Sequence, residues 1–186
     1  IYPVLDFADL PITDTGKRAS IRIAKRDVKF AIWHQKVGRV DMYLMDTDVE
    51  GNTPEDRKLT RHLYGGDRDY RIRQEMLLGV GGLVMLDALG IKPDVCHLNE
   101  GHAAFCALER LARAVENGQS MQKAVESVRS STVFTTHTPV PAGNDRFDPK
   151  LALKYIASYA QRLNLSTDEL LAYGREEVEN KREEFC

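Results

Sequence analysis

The chain has 186 residues, enough for one domain with its own core, and it opens at Ile1 without an initiator Met, so we expect it to be cut from a larger protein. Hydrophobic residues make up 42%, charged residues make up 29%, and the formal net charge is -2, which is typical of a soluble globular chain and predicts no nucleic-acid partner. No apolar run reaches the roughly 20 residues that cross a bilayer, and the first ten residues lack a secretory signal pattern, so we expect no contact with a membrane.

The first predicted element is an antiparallel strand meander over residues 20–46. Here β-branched and aromatic residues alternate with charged ones, and a turn-like segment at 36–38 interrupts them. Turn residues around 51–54 then lead into a short helical stretch, and residues 64–67 predict a flexible loop. Asp67 is a candidate cap for the helix that follows.

Residues 71–89 carry apolar side chains at helical spacing, which predicts an amphipathic helix. Gly79, Gly81 and Gly82 lie inside it, and each costs roughly 1 kcal/mol in a helix interior. They indicate either close packing of another backbone or a break in the helix. They match neither GxGxxG after a strand nor a Walker motif, so we predict no nucleotide site.

The next elements alternate between strand and helix. Residues 94–98 and 132–136 are apolar runs that predict two buried strands, and residues 103–116 and 120–129 predict the helices between them. Such an order favours an α/β fold with a parallel sheet flanked by helices. Ligands of such sheets bind beyond the carboxyl ends of the strands, where the loops 99–102 and 137–145 begin.

The residues from 149 onward predict a helix that begins at Pro149 and a short capped helix that begins after Ser166. Residues 175–184 are almost all charged, and we expect them to form a solvated helix or a frayed tail. We therefore divide the chain into a partial domain, residues 1–174, and a tail, residues 175–186.

Polar side chains follow both predicted strands: Glu100 and His102 come after the first, and His137 comes after the second. A carboxylate beside imidazoles can fix a tautomer and position a hydrogen bond to a sugar hydroxyl. The same residues are equally suited to capping or bracing the loops. Metal binding is not predicted, because the sequence has no close HxxxH or HxH pair.

The other reactive residue types have structural interpretations. His34 and His62 are expected at the surface or in packing contacts, and His97 is expected to be a satisfied core histidine. Cys96 and Cys106 lie in apolar stretches and are predicted to be core residues rather than catalytic thiols. Three cysteines without a CxxC pair indicate reduced thiols and the cytoplasm.

Five segments, in order, carry a resemblance to a known family. They are VGRVDMYLMDTDVEGN (residues 37–52), LYGGD (63–67), RIRQE (71–75), HLNEGHAAF (97–105) and VFTTHTPVPAGNDRF (133–147). Together they resemble the α-glucan phosphorylases, most closely the shorter bacterial and archaeal enzymes, over about three quarters of the chain.

The resemblance implies part of the first of two Rossmann-like domains in a GT-B fold. Such enzymes transfer terminal α-1,4-linked glucosyl units to inorganic phosphate and release glucose 1-phosphate. Pyridoxal phosphate, its lysine and most phosphate ligands belong to the missing C-terminal domain. We therefore expect no cofactor in this chain, and no activity from it alone.

The resemblance also assigns site residues. It places Asn99, Glu100 and His102 in a loop at the floor of the cleft, and it makes His137 the catalytic histidine that faces the glucosyl ring. Gly65, Gly66 and Asp67 resemble a gate loop at the mouth of the site, with Arg71 just behind it. Asn144 departs from the pattern, because the short enzymes often have His there.

Two alternatives remain open on the sequence. A glycosyltransferase of the glycogen-synthase type shares the two-domain architecture but uses a nucleotide sugar. A non-catalytic glucan-binding module would keep the same loops for sugar recognition only.

Overall fold

The computed structural model describes residues 9–62, 66–138, 140 and 144–186. Its strands are β1 (Thr13–Ile23), β2 (Arg26–Val37), β3 (Val40–Asp46), β4 (Cys96–Asn99) and β5 (Thr132–Thr135). Its α-helices are α1 (Arg68–Met76), α2 (Gly82–Leu89), α3 (Phe105–Glu116), α4 (Met121–Ser130), α5 (Pro149–Leu163) and α6 (Thr167–Ala172). The α/β class predicted from the sequence is confirmed, with the antiparallel sheet first and the parallel sheet after it.

The predicted antiparallel meander is confirmed, in the order β1, β2, β3, but it begins at Thr13 and not at residue 20, and β2 extends to Val37, inside the predicted turn. Alternate residues face the core, so that Ile23, Phe30 and Ile32 are almost completely buried. The hairpin between β2 and β3 turns at Gly38, whose φ of +59° suits glycine. The main hydrophobic core combines buried residues of this sheet with residues of the helices α1, α3, α5 and α6.

The helix predicted over 71–89 is continuous from α1 to α2, but its centre, Leu77–Gly81, is π-helical. A methyl group placed at Gly79 would lie 2.6 Å from the backbone nitrogen of Cys106, so this glycine permits the close backbone packing that the sequence indicated. Gly82 faces open space and has no such explanation. The helix ends at Gly90, which has a φ of +73°.

Strands β4 and β5 pair in parallel, with Cys96 opposite Thr132 and Asn99 opposite Thr135. The helices α3 and α4 form the connection between them. The prediction that both strands are buried is wrong, because Val133 and Phe134 are 50% and 53% exposed. Within the described part of the chain, helices cover this two-stranded sheet incompletely.

His97 is likewise exposed, which corrects its interpretation as a core histidine. Its Nε2 lies 2.6 Å from the hydroxyl of Thr135 on the neighbouring strand. Strand side chains point alternately to opposite faces, so His97 shares the uncovered face while Leu98 is buried on the other.

Helix α6 is capped as predicted, since Ser166 and Glu169 complete a capping box, and α5 is capped by the side chain of Asp148. The charged segment after α6 forms turns and bends and is not helical. Its end is fixed, since Phe185 and Phe147 exchange two backbone hydrogen bonds of 2.8 Å. The solvated helix or frayed tail expected there does not form, because the aromatic ring of Phe185 packs against the core.

No helix among the described residues is long and apolar enough to cross a membrane.

Candidate functional site

The two loops that leave the parallel sheet lie side by side. The backbone amide of Glu100 donates to the carbonyl of Thr135 at 2.8 Å, which joins the end of β4 to the end of β5. Parallel strands bring their carboxyl ends to the same edge of a sheet. Residues far apart in sequence therefore meet at this edge.

The Glu100 carboxylate holds the loop after β5. Its Oε1 accepts hydrogen bonds from the backbone amides of His137 and Thr138, at 2.5 and 3.0 Å, and from the hydroxyl of Thr138 at 3.2 Å. Its Oε2 accepts from the hydroxyl of Thr136 at 3.1 Å. These donors, led by the His137 amide, lower the pKa of Glu100, so that it is an anion at neutral pH.

Glu100 is 5% exposed, and it adopts a φ of +57°, which is strained for a residue with a side chain. Strained backbone persists where the surroundings enforce it, and such residues cluster at functional sites. The four hydrogen bonds to its carboxylate are the enforcing contacts here. The sequence was compatible with two roles for Glu100, which were fixing an imidazole tautomer and bracing a loop. The geometry shows the second role, since the carboxylate contacts the main chain of His137 and not its ring.

The imidazole of His137 is exposed at the edge of the sheet and contacts Asn99. Its Nε2 lies 2.8 Å from Oδ1 of Asn99. An amide oxygen can only accept, so Nε2 carries the proton in this arrangement. The loop therefore presents an oriented, solvent-accessible imidazole beside a main chain that Glu100 has fixed.

The ring of His102 has a different set of neighbours. Its Nδ1 lies 2.6 Å from Nη2 of Arg71. A guanidinium has no acceptor, so Nδ1 accepts and the proton of the neutral ring is on Nε2. The nearby carboxylates are those of Glu75 and Asp145, and Glu100 instead faces the loop after β5.

Arg71 connects these groups. Its Nε donates to Oδ2 of Asp145 at 2.7 Å and lies 3.3 Å from Oε1 of Glu75. Asp145 also accepts from Nη1 of Arg68 at 3.1 Å. We call Arg71, Glu75, His102 and Asp145 the arginine cluster.

The two carboxyls of the arginine cluster differ in charge. Burial, together with a hydrogen bond to Asp145, raises the pKa of Glu75 to about 9, so Glu75 is protonated at neutral pH. Burial also acts to raise the pKa of Asp145, but its bonds to Arg71 and the proton of Glu75 lower it overall. The pair therefore holds one proton, on Glu75.

Ligand atoms of Glu75, His102 and Asp145 lie within 4.8 Å of one another, the spacing of a three-ligand metal site. The guanidinium of Arg71 already bonds two of these three residues and supplies the positive charge. We therefore interpret the cluster as an ion-pair network.

Sequence reasoning missed Glu75 and Asp145. One signal was present, because Glu75 follows Arg71 by four residues and so shares its face of the helix. The partner Asp145 is 74 residues from Arg71 in sequence, and no local pattern joins them.

The predicted gate loop is only partly described. Gly65 lies outside the described residues, as does Gly143. Gly66 has a φ of +84°, and the carboxylate of Asp67 accepts from the backbone nitrogen of Tyr70 at 2.8 Å, which confirms it as the cap of α1. In this arrangement Asp67 is occupied in holding the helix.

The two predicted core cysteines differ in burial. Cys106 is buried and Cys96 is partly buried, and both are unbridged. Burial, followed by the neighbouring Cys96, raises the pKa of Cys106 to about 12, so its thiolate is absent at neutral pH.

Two cavities flank the arginine cluster. The outer cleft, about 430 Å³, lies between the meander and α1, and it is lined by Arg71, His102, Tyr43, Met45 and His62 among others. The inner cavity, about 270 Å³, is mainly apolar and is lined by residues of α3, α5 and α6 together with Phe147 and Phe185. Glu75 borders both.

The chain is similar in sequence to several named proteins. It is 43% identical to the maltodextrin phosphorylase of Thermococcus litoralis over 182 residues, which cover 95% of this chain and 22% of that protein. It is 40% identical to the glycogen phosphorylase of Mycobacterium tuberculosis over 195 residues, or 95% of this chain and 23% of that protein. The glycogen phosphorylase of Aquifex aeolicus is 39% identical over 127 residues, 67% of this chain and 18% of that protein. The chain thus spans about a fifth of the length of these curated relatives. No model of a protein family matches it.

Proposed function

We propose that this chain forms one wall of the glucan cleft of an α-glucan phosphorylase. By sequence it belongs to the maltodextrin and glycogen phosphorylases, and it spans about a fifth of their length. The whole enzyme would transfer a terminal α-1,4-linked glucosyl unit to inorganic phosphate and release glucose 1-phosphate. The observation that carries this proposal is the Glu100 carboxylate, which fixes the main chain of His137 at the edge where sheets of this kind bind ligands.

We assign the catalytic contribution to His137. A carbonyl dipole held at a fixed position stabilises positive charge as it develops on a glucosyl ring, and it needs no reorganisation at the moment of reaction. The bonds from the 137 and 138 amides to Glu100 provide that fixation. Asn99 orients the His137 ring, since its Oδ1 accepts from Nε2.

We assign substrate binding to Asn99, Glu100 and His102, and gating to Gly65, Gly66 and Asp67. His102 is suited to contact a sugar hydroxyl because Arg71, whose Nη2 lies 2.6 Å from Nδ1, orients its ring. Glu100 acts by holding the loop and not by direct contact.

Pyridoxal phosphate belongs to the enzyme we propose, but the described residues do not fit its attachment. A Schiff base needs a lysine facing a pocket, and neither the outer cleft nor the inner cavity has a lysine among its described lining residues. We therefore place the cofactor and the phosphate ligands in a C-terminal domain in cis, outside this chain. The unbridged thiols support a cytoplasmic location.

The test is phosphorolysis by the full-length protein. We expect glucose 1-phosphate from maltodextrin only when phosphate is present, and no turnover by the 186-residue chain alone. His137→Ala should lower kcat more than it weakens glucan binding, because the contact acts mainly on the transition state. Transfer from a nucleotide sugar in place of phosphorolysis would favour a synthase, and glucan binding without either reaction would favour a non-catalytic module.

A further inference from the structure

Glu75 is a buried acid that the proposed chemistry does not use. It is 5% exposed and lies between the outer cleft and the inner cavity. Its Oε1 is buried without a hydrogen-bond partner among the described atoms, although Nε of Arg71 is 3.3 Å away. An ionised carboxylate at this buried position would face the Asp145 carboxylate and share Arg71 with it, which is costly, whereas a protonated carboxyl can donate a hydrogen bond to Asp145.

We propose that Glu75 is a positioning residue that works in its neutral form, clamping Asp145 to α1 and keeping the guanidinium of Arg71 on Nδ1 of His102. The inference rests on the proposed function, because it gives this network the task of orienting His102 toward the glucan. His102, and not Glu75, is the group that we expect to contact substrate.

The charge balance of the cluster explains why neutrality matters. Arg71 bonds both His102 and Asp145, while Arg68 reaches Asp145 from a more exposed position. If Glu75 ionised, its carboxylate would repel Asp145 and compete for Arg71 from four residues along the same helix. The guanidinium would then turn from Nδ1 of His102, and the tautomer would no longer be fixed.

The pKa of Glu75 sets the pH at which this happens. Burial and Asp145 favour the protonated form, so Glu75 stays neutral below about pH 9 and ionises above it. The groups that face it are Arg71 and Arg68 on α1, Asp145, the neighbouring His102, and Cys186 at the chain end. The clamp therefore holds at neutral pH and loosens in alkali.

The functional experiment compares Glu75→Gln and Glu75→Ala in the full-length enzyme. Glutamine mimics the protonated acid, since its NH₂ can donate to Asp145, so it should keep most of the neutral-pH kcat/KM and abolish the loss of activity above about pH 9. Alanine should lower kcat/KM by about tenfold or more, mainly through KM for glucan. Glu109→Gln is the control, because Glu109 is equally buried but lies away from this cluster, and it should leave the pH profile unchanged.

The direct experiment uses the 186-residue chain and is independent of activity. Carbon-13 spectra should show the Glu75 carboxyl titrating near pH 9, and nitrogen-15 spectra should show His102 with its proton on Nε2 in wild type and Glu75→Gln but not in Glu75→Ala. An ordinary glutamate titration, or the same His102 tautomer in all three proteins, would overturn the inference. Absence of phosphorolysis from every full-length protein, with these spectra as expected, would overturn only the proposed function.

Discussion

The sharpest test of the packing around the site is a pair of glycine substitutions on one helix. Gly79 lies in the π-helical centre and Gly82 begins α2, so the two differ little in sequence position and backbone conformation. Only Gly79 touches another backbone, at the turn that carries His102 into α3. Alanine at the two positions should therefore change stability in opposite directions.

The magnitudes follow from the distances. At Gly79 the added methyl would lie 2.6 Å from the nitrogen of Cys106, 3.0 Å from the carbonyl carbon of Phe105 and 3.1 Å from the oxygen of Ala103. These are main-chain atoms that cannot rotate aside, so the cost of overpacking should lie near the upper end of about 1–3 kcal/mol. It should therefore exceed the gain in helix propensity of about 1 kcal/mol. At Gly82 nothing lies within 4 Å, so Gly82→Ala should stabilise by about 0.5–1 kcal/mol.

Urea unfolding followed by circular dichroism, with linear extrapolation, measures both changes on the same chain. In the full-length enzyme Gly79→Ala should also raise KM for glucan, because α3 and the preceding turn must shift. If Gly79→Ala is as stable as Gly82→Ala, the close approach of the two backbones is wrong. If Gly82→Ala is the destabilised variant, the assignment of open space there is wrong.

Three further predictions concern buried charge, capping and the tail. Burial acts to raise the pKa of Glu109, but hydrogen bonds, led by that from Arg162, lower the pKa overall. The ionised Glu109 should therefore stabilise the fold at pH 7, and this stabilisation should be lost as the pH falls below 4.5. Glu109→Gln should accordingly cost about 3 kcal/mol in urea at pH 7 and much less at pH 3; equal costs would contradict the ion pair. Ser166→Ala should cost about 1 kcal/mol in the same assay through loss of the capping box, and no change would show that α6 does not need it. Phe185→Ala should lower the free energy of unfolding by about 3 kcal/mol and speed proteolysis after α6, because its ring packs against the core. Val178 is exposed, so Val178→Ala should change the free energy of unfolding by no more than about 0.5 kcal/mol. Equal effects of the two substitutions would mean that the tail does not pack against the core.

Local patterns determined much of the fold. Alternation of apolar and charged residues over 20–46 was enough to predict the meander, because successive side chains of a half-buried strand point alternately to the core and to solvent. The turn at Gly38 joins β2 to β3. The caps at Asp67 and Ser166 were readable for the same reason, since a side chain there bonds the backbone within three residues. The order of apolar runs and helices was enough for the parallel pairing of β4 with β5.

Tertiary structure decided how the polar residues pair. Glu100 was placed at the right edge of the sheet by its position after a strand, but only the folded chain shows that it binds the amides of residues 137 and 138 and not an imidazole. The exposure of His97 likewise depends on which face of the sheet the rest of the chain covers. The pairing of Phe185 with Phe147 depends on how the end of the chain packs against the core.

Glu75 shows the limit most clearly. The sequence shows only that Glu75 follows Arg71 by one helical turn, and no residue near it in sequence indicates that it is neutral. Its protonation depends on burial and on Asp145, which packing brings close from far along the chain. Hydrophobic periods and caps act within a few residues and can be read directly, whereas the pKa of a buried acid depends on every group that the fold assembles around it.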